Sequence, residues 1–193
     1  MPEIKGLIFD CDGTLADSMP AHWKAWQLVT QKYGLLFPEE RFYALGGVPS
    51  SDIFSLLFEE QGRRGLDRRA LAKEKEEAYL PLMPQVGRIE RVVAVAEAHH
   101  GKLPMAVASG GLKHIIERLL QQLSIRHFFS AIVTSEDVVQ QKPAPDIFLA
   151  AARSIGVAAE NCRAYEDTEL GLQAIRSAGM QAVDVRELLR AAE

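Results

Sequence analysis

The sequence has little cysteine: Cys11 and Cys162 are the only two in 193 residues. Neither stands at a metal-binding spacing, and each lies beside an apolar or strand-like segment. A reducing compartment suits them better than a disulfide scaffold. Basic residues are not in excess either, with 22 Lys and Arg against 26 Asp and Glu and a formal net charge of -4. No cationic surface is advertised, which speaks against a nucleic-acid partner. No apolar run is long enough to span a membrane. Met1-Pro2-Glu3-Ile4-Lys5 enters an apolar segment directly, leaving no space for a signal peptide. The expectation is a cytoplasmic monomer with neither a nucleic-acid nor a membrane partner. Internal repeats and low-complexity segments are absent. So is a G-x-x-x-x-G-K-[ST] loop, which argues against a nucleotide-phosphate cradle.

What is present is an ordinary globular composition, 48% hydrophobic and 25% charged. The length is large for one minimal domain and small for two full ones, so a core domain with a smaller insertion fits. The chain is organised around Gly6 to Leu15. Leu7 to Phe9 reads as a buried strand, and it ends abruptly in Asp10-Cys11-Asp12-Gly13-Thr14. In an extended chain, side chains two apart point the same way, so Asp10 and Asp12 leave the strand end together with Cys11 turned away. Two carboxylates so placed repel, and a divalent cation relieves the conflict. Magnesium suits such a place, since it takes one or two protein carboxylates, waters and a substrate phosphate. Gly13 permits a sharp turn, and Thr14 adds a hydroxyl. Asp-Gly is also ordinary turn chemistry, so the stretch alone leaves a plain acidic turn open.

Between Ala16 and Gln85 the patterning is helical, with no strand pattern. Helices are expected over Pro20–Tyr33, Pro38–Leu45, Asp52–Gln61 (capped by Ser50 or Ser51) and Asp67–Tyr79. From Val86 the character changes. Helices over Ile89–His99, Leu112–Leu123, Asp146–Ile155 (capped by Asp146) and Thr168–Ala178 alternate with strands at Pro104–Ala108, Ala131–Val133, Arg163–Tyr165 and Gln181–Asp184. Such alternation predicts an α/β fold, a doubly wound parallel sheet of Rossmann-like topology with helices on both faces. Residues 1–16 and 86–193 form the core domain, and residues 17–85 an inserted all-helical cap.

Ligands of such sheets bind beyond the carboxyl ends of the strands. There the first strand delivers Asp10, Asp12 and Thr14, and the second Ser109 and Gly110. Lys142 follows the third, and the fourth brings Glu166 and Asp167. A cation, hydroxyls and four carboxylates converge on one spot. That inventory suits phosphoryl transfer, with a nucleophile, a metal and donors for phosphate oxygens.

Four motifs in this order, Asp10-Cys11-Asp12-Gly13-Thr14, Ser109, Lys142-Pro143-Ala144-Pro145-Asp146 and Glu166-Asp167-Thr168-Glu169-Leu170-Gly171, resemble those of the haloacid dehalogenase superfamily. The resemblance covers the whole chain. Its subgroup is similar to the β-phosphoglucomutase-like proteins, and within it to bacterial fructose-1-phosphate phosphatases. Those are matched by Ala21-His22-Trp23-Lys24-Ala25-Trp26, the pattern around Lys75 and Tyr79, and Ala178 to Arg186. The resemblance implies that Asp10 is a nucleophile forming an aspartyl phosphate, and that Asp12 is the general acid and then the base for water. It implies Mg2+ held by Asp10, Asp12 (through its backbone carbonyl) and Asp167, with Glu166 as a ligand or one step behind the metal. Lys142 would neutralise charge, and Thr14, Ser109 and Gly110 would meet the phosphate. His22 and Gly47 would meet the substrate from the cap, closing on hinges near Asp17 and Gln85. The implied activity is hydrolysis of a small phosphorylated sugar similar to fructose 1-phosphate.

Plainer readings stand beside these. Ser109 precedes a helix and is placed to cap it. A lone His on a helix with two tryptophans is as often a packing residue. Lys75 lies in Lys73-Glu74-Lys75-Glu76-Glu77, and a charge run is ordinarily a solvated face. The pair His99-His100 reads as surface, and Trp23 and Trp26 as cap core. The rival activity is a β-phosphoglucomutase-type isomerase. The mutases of the subgroup carry an Arg after a Gly-Val pair to hold a second phosphate, and here Gly47-Val48 is followed by Pro49-Ser50-Ser51-Asp52. They also carry a Lys just beyond the cap tyrosine, where this chain has Pro81. A binding module without turnover is the third possibility, and the intact acidic set argues against it.

Overall fold

The computed structural model describes residues 3–190. The Met1-Pro2 part of the expected lead-in, and the last residues of the expected core domain, lie outside them. The described chain divides into two compact units: one runs up to Asp17 and resumes at Gly87, and the other is Ser18–Val86.

In the first unit, β1 (Gly6–Phe9) is followed by the two-residue β2 (Ala16–Asp17). The second unit carries α1 (Met19–Lys32), α2 (Glu39–Ala44), α3 (Ser50–Glu60) and α4 (Arg68–Tyr79). The first unit then resumes with β3 (Gly87–Arg88), α5 (Glu90–His99), β4 (Met105–Ser109) and α6 (Lys113–Gln122). It continues with β5 (Ala131–Thr134), α7 (Asp146–Ser154) and β6 (Cys162–Glu166). Last come α8 (Glu169–Ser177), β7 (Gln181–Asp184) and α9 (Val185–Arg190).

Five strands form one sheet in the order β5-β4-β1-β6-β7, and each neighbouring pair is parallel. The chain winds outward from β1 to β4 and β5, then crosses to β6 and β7, which is the doubly wound pattern. Parallel strands need crossovers, and helices supply them. The strands are apolar on both faces because both are covered. On one face Ile8, Ala106, Ala108 and Ala164 pack with Phe148 and Ile175. Phe9 points the other way, stacking on Tyr165 at 4.7 Å between ring centroids and meeting Phe129 edge-on. Strand order reverses about β1, so the carboxyl ends of β1, β4 and β6 adjoin at the switch.

The helical unit has its own core, built around Trp26, Phe37, Phe42, Ile53, Phe54 and Leu57. The Trp26 ring lies 4.6 Å from that of Phe54 and 5.0 Å from that of Phe37. Each such large side chain contributes roughly 1.5–3 kcal/mol by leaving water. Trp26 is thus core, as expected, and Trp23 packs partly buried against the same cluster.

Several local expectations are corrected. The stretch expected to lack strands starts with one, since Ala16–Asp17 pairs antiparallel with Gly87–Arg88. Ser50 and Ser51 do not cap α3; Pro49 precedes it, and both serines are already helical. Asp146 likewise is the first residue of α7 rather than its cap. Asp67 does cap α4, its carboxylate accepting from the N–H groups of Arg69 and Ala70. Lys75 is not on a solvated face: it is 4% exposed, because it shares the inner stripe of α4 with Leu71 and Tyr79. Of the histidine pair, His100 is exposed and His99 is half-buried. No helix among the described residues is long and apolar enough to cross a membrane.

Candidate active site

β1 stops at Phe9, and the N–H of Asp10 still donates to the carbonyl of Tyr165 on β6. That bond fixes the Asp10 backbone at the strand end. The chain then folds over itself: the carbonyl of Cys11 accepts from the N–H groups of Thr14, Leu15 and Ala16. Gly13 makes this possible with φ +80°, and a Cβ there would also strike the carboxylate of Asp167. Cys11 is wholly buried. Burial and then the charges of Asp12 and Asp10 hold its thiol well above its usual value, so it stays protonated. Cys162 is also a buried free thiol. Asp12 is half-buried.

Lys142 comes from the loop after β5, where the Lys142–Pro143 peptide bond is cis. Its Nζ donates to Asp10 Oδ1 at 2.6 Å and to Glu166 Oε2 at 2.7 Å. All three side chains are nearly buried. Burial would discharge a lone ammonium, but Asp10 and Glu166 outweigh it and hold Lys142 protonated above its usual range. Glu166 ends β6. Its other oxygen accepts from the N–H of Asp167, the N–H of Thr168 and, at 2.8 Å, the hydroxyl of Thr168. Asp167 accepts from the Thr14 hydroxyl at 2.9 Å.

One cation here faces three carboxylates. Burial, and then the charge of Glu166, raises the Asp10 carboxyl well above the ordinary range, against the pull of Lys142. The same two causes push Asp167 up to about 7. Carboxylate oxygens of Asp10, Glu166 and Asp167 lie within 4.8 Å of one another. Hard oxygen donors at this spacing, with excess negative charge, fit a divalent cation of the magnesium type.

The remaining predicted residues fall as follows. Ser109, 1% exposed, ends β4, and its Oγ accepts from Gly111 N at 3.1 Å. It does not cap α6, which Leu112 precedes. Gly110 is exposed beside it. Thr14 is fully buried with its hydroxyl directed to Asp167. In the helical unit, His22 Nδ1 lies 2.9 Å from Lys75 Nζ, and the imidazole stacks on Tyr79 at 3.9 Å. Lys75 also donates to Glu76. Gly47, exposed with φ +86°, sits in the loop between α2 and α3.

Thr168 was expected only to start a helix. It caps α8 by accepting from Gly171 N at 3.1 Å while its own hydrogen goes to Glu166. The capping half is legible from a threonine three residues before Gly171. The Glu166 half depends on how the strand end meets the helix.

A parallel sheet with an acidic cluster and a lysine at its switch point is the arrangement that the motif resemblance implies. The haloacid dehalogenase-like hydrolase family matches residues 7–185, and the chain belongs to that family. It is an enzyme of the phosphatase kind. Over 183 residues it is 43% identical to the fructose-1-phosphate phosphatase YqaB of Escherichia coli, covering 95% of this chain and 97% of that one. It is 29% identical to the β-phosphoglucomutase of Bacillus subtilis over 195 residues, covering 94% and 83% of the two chains. Among solved structures it is similar to a β-phosphoglucomutase of Clostridium difficile, with TM-score 0.81, 25% identity and 94% and 84% covered. The subgroup resemblance read from the motifs is met by these relatives.

Proposed function

We propose that the protein is a magnesium-dependent phosphatase that hydrolyses a small sugar phosphate, fructose 1-phosphate or a close analogue, through an aspartyl phosphate on Asp10. The observation that carries this reading is the buried Lys142 bridge between Asp10 and Glu166, with Asp167 alongside. The 43% identity to a fructose-1-phosphate phosphatase supports the substrate.

An Asp10 carboxylate oxygen forms a bond to phosphorus as the bond from phosphorus to the sugar oxygen breaks. Asp12 gives its proton to that oxygen. Asp12 then takes a proton from water as the water oxygen attacks phosphorus and the Asp10–phosphorus bond breaks, releasing phosphate. Ser109 and Gly110 donate to phosphate oxygens, and Lys142 offsets charge on Asp10 and phosphate together. Asp10, Asp167, the Asp12 carbonyl and Glu166 would hold Mg2+, which when bound lowers the repulsion between an anionic nucleophile and an anionic ester. Thr14 orients Asp167. For the sugar end of the substrate the candidates are His22, whose Nδ1 lies 2.9 Å from Lys75 Nζ, and Gly47.

The mutase reading rests on the β-phosphoglucomutase relatives. Against it, no Arg follows Gly47-Val48. Product analysis tests the proposal. Free phosphate should accumulate from fructose 1-phosphate, while β-glucose 1-phosphate should give no glucose 6-phosphate. The reverse pattern would establish the mutase. In His22→Ala, kcat/KM for fructose 1-phosphate should fall about tenfold or more, with para-nitrophenyl phosphate changed less than about threefold. Equal losses on both would move His22 into the common chemistry, and no loss would return it to packing.

The raised carboxyls set a second expectation. A carboxyl whose value is higher in the folded chain takes up a proton on folding, so it opposes folding as pH rises. For Asp167 that window runs from the ordinary Asp range to above about 7. Without metal, Tm should be lower at about pH 8 than at about pH 5.5 on this account. Magnesium should raise Tm more at the higher pH, by about 2.7 kcal/mol of stability at a hundredfold excess over Kd. A chelator should abolish turnover. A Tm indifferent to magnesium at both pH values would remove the metal from the site.

A further inference from the structure

Gly171 stands in the first turn of α8, where nothing about the backbone requires glycine: its φ is not in the left-handed region, and the helix runs through it. Alanine would favour the helix there. What requires glycine is Glu166. A Cβ added to Gly171 would fall on the Glu166 carboxyl group, well inside contact distance, and 2.5 Å from its Cγ. Glu166 is 1% exposed, so it has no open space to retreat into. Its bonds also hold it in place: Oε2 takes Lys142 Nζ at 2.7 Å, and Oε1 takes Thr168 N, Thr168 Oγ1 and Asp167 N.

We propose that Gly171 is a positioning residue: its missing side chain is the space in which Glu166 lies while it aims Lys142 at Asp10. The proposal rests on the phosphatase reading for its effect on turnover, but not for its geometry. Gly171 acts a second time through the main chain. Its N–H donates to Thr168 Oγ1 at 3.1 Å, which commits the hydroxyl hydrogen of Thr168 to Glu166. A methyl group at 171 pushes the carboxylate off the helix turn. Lys142 then keeps Asp10 but loses its second anchor, and the ammonium swings out of line. Gly13 does the same for Asp167, but its left-handed backbone makes it a poorer test. At Gly171 the Cβ is the only variable.

The test is a double-mutant cycle of wild type, Gly171→Ala, Glu166→Ala and the double variant. Each is measured for phosphate release from fructose 1-phosphate with magnesium and for Tm without substrate. In Gly171→Ala, kcat should fall about tenfold or more with KM within about threefold, since Ser109 and Gly110 are untouched. In the Glu166→Ala background the same substitution should change kcat less than about twofold, because the added methyl meets no carboxylate. Tm should fall on Gly171→Ala in wild type and rise by about 2–4 °C in the Glu166→Ala background, where only the helix preference remains. Equal effects in both backgrounds, or a Gly171→Ala enzyme with full kcat and unchanged Tm, would overturn the proposal. If wild type released no phosphate from any sugar phosphate, the phosphatase reading would fail, while the Tm arm would still decide the role of Gly171.

Discussion

Asp10→Asn is expected to keep the fold and lose turnover by about 10⁴-fold or more, because the amide has no carboxylate oxygen to attack phosphorus. The substitution is nearly isosteric. The Asn carbonyl oxygen can still accept from Lys142, whose Nζ stands 2.6 Å from Asp10 Oδ1. The N–H bond from residue 10 to the Tyr165 carbonyl belongs to the backbone and survives. Stability should not suffer. One of three crowded carboxyls becomes neutral, so Tm without metal should be equal or higher, most clearly at alkaline pH where the acids are charged. Phosphate release and thermal unfolding check both halves. Turnover within about tenfold of wild type would end the role of Asp10 as nucleophile.

Lys142→Ala should damage both stability and activity. The lysine is 8% exposed, and its two partners are buried as well. Removing one member of a buried ion pair costs about 3–5 kcal/mol, since the charge left behind has neither water nor partner. For a chain of this size that lowers Tm by roughly 10 °C. Asp10 is already raised by burial and loses the opposing pull of the ammonium, so it takes a proton more readily and the loss should shrink as pH falls. Turnover should drop about 10²–10³-fold, the usual cost of one charge-stabilising donor in an enclosed site. Unfolding curves at two pH values and kcat measurements decide it. A variant as stable as wild type at alkaline pH would mean that the ion network is not what holds this strand end.

The site was largely legible in the sequence because its members are tied to strand ends. Leu7 to Phe9 is a buried run that can only end in a turn, and the acids follow at once. Lys142, Glu166 and Asp167 could be placed by the same logic, since an alternating α/β pattern brings every strand's carboxyl end to one edge. Less legible were features set by two segments meeting. Ala16–Asp17 and Gly87–Arg88 are too short for a period-two pattern, and each becomes a strand only by finding the other. Ser50 lost the cap position to Pro49, although serine is the better capping residue, because the chain enters the helix one residue earlier. Lys75 was hidden by its charged neighbours, yet the signal existed: Leu71, Lys75 and Tyr79 are four apart and share one face. His22 beside Lys75 follows only once α1 and α4 are laid together. That Glu166 lies on Gly171 depends on the meeting of a strand end and a helix turn, for which neighbouring residue types carry no code.

The position of β1 in the sheet has a consequence for how the protein comes into being. It is the central strand and precedes both its partners in the chain, yet both are distant: Leu7 pairs with Met105 on one side and Arg163 on the other. Pairings so far apart in sequence are slow to form, because a long loop must close before any contact rewards it. On the ribosome, Leu7, Ile8 and Phe9 emerge with nothing to cover them. The residues from Ser18 to Val86, whose core is made of their own side chains, emerge complete while β1 still waits. Asp10 therefore emerges long before β6, and its backbone is seated only when β6 arrives carrying Tyr165 and Glu166. A chain truncated before Cys162 would hold Asp10 and Lys142 but lack Glu166, Asp167 and the Tyr165 carbonyl that seats the Asp10 backbone.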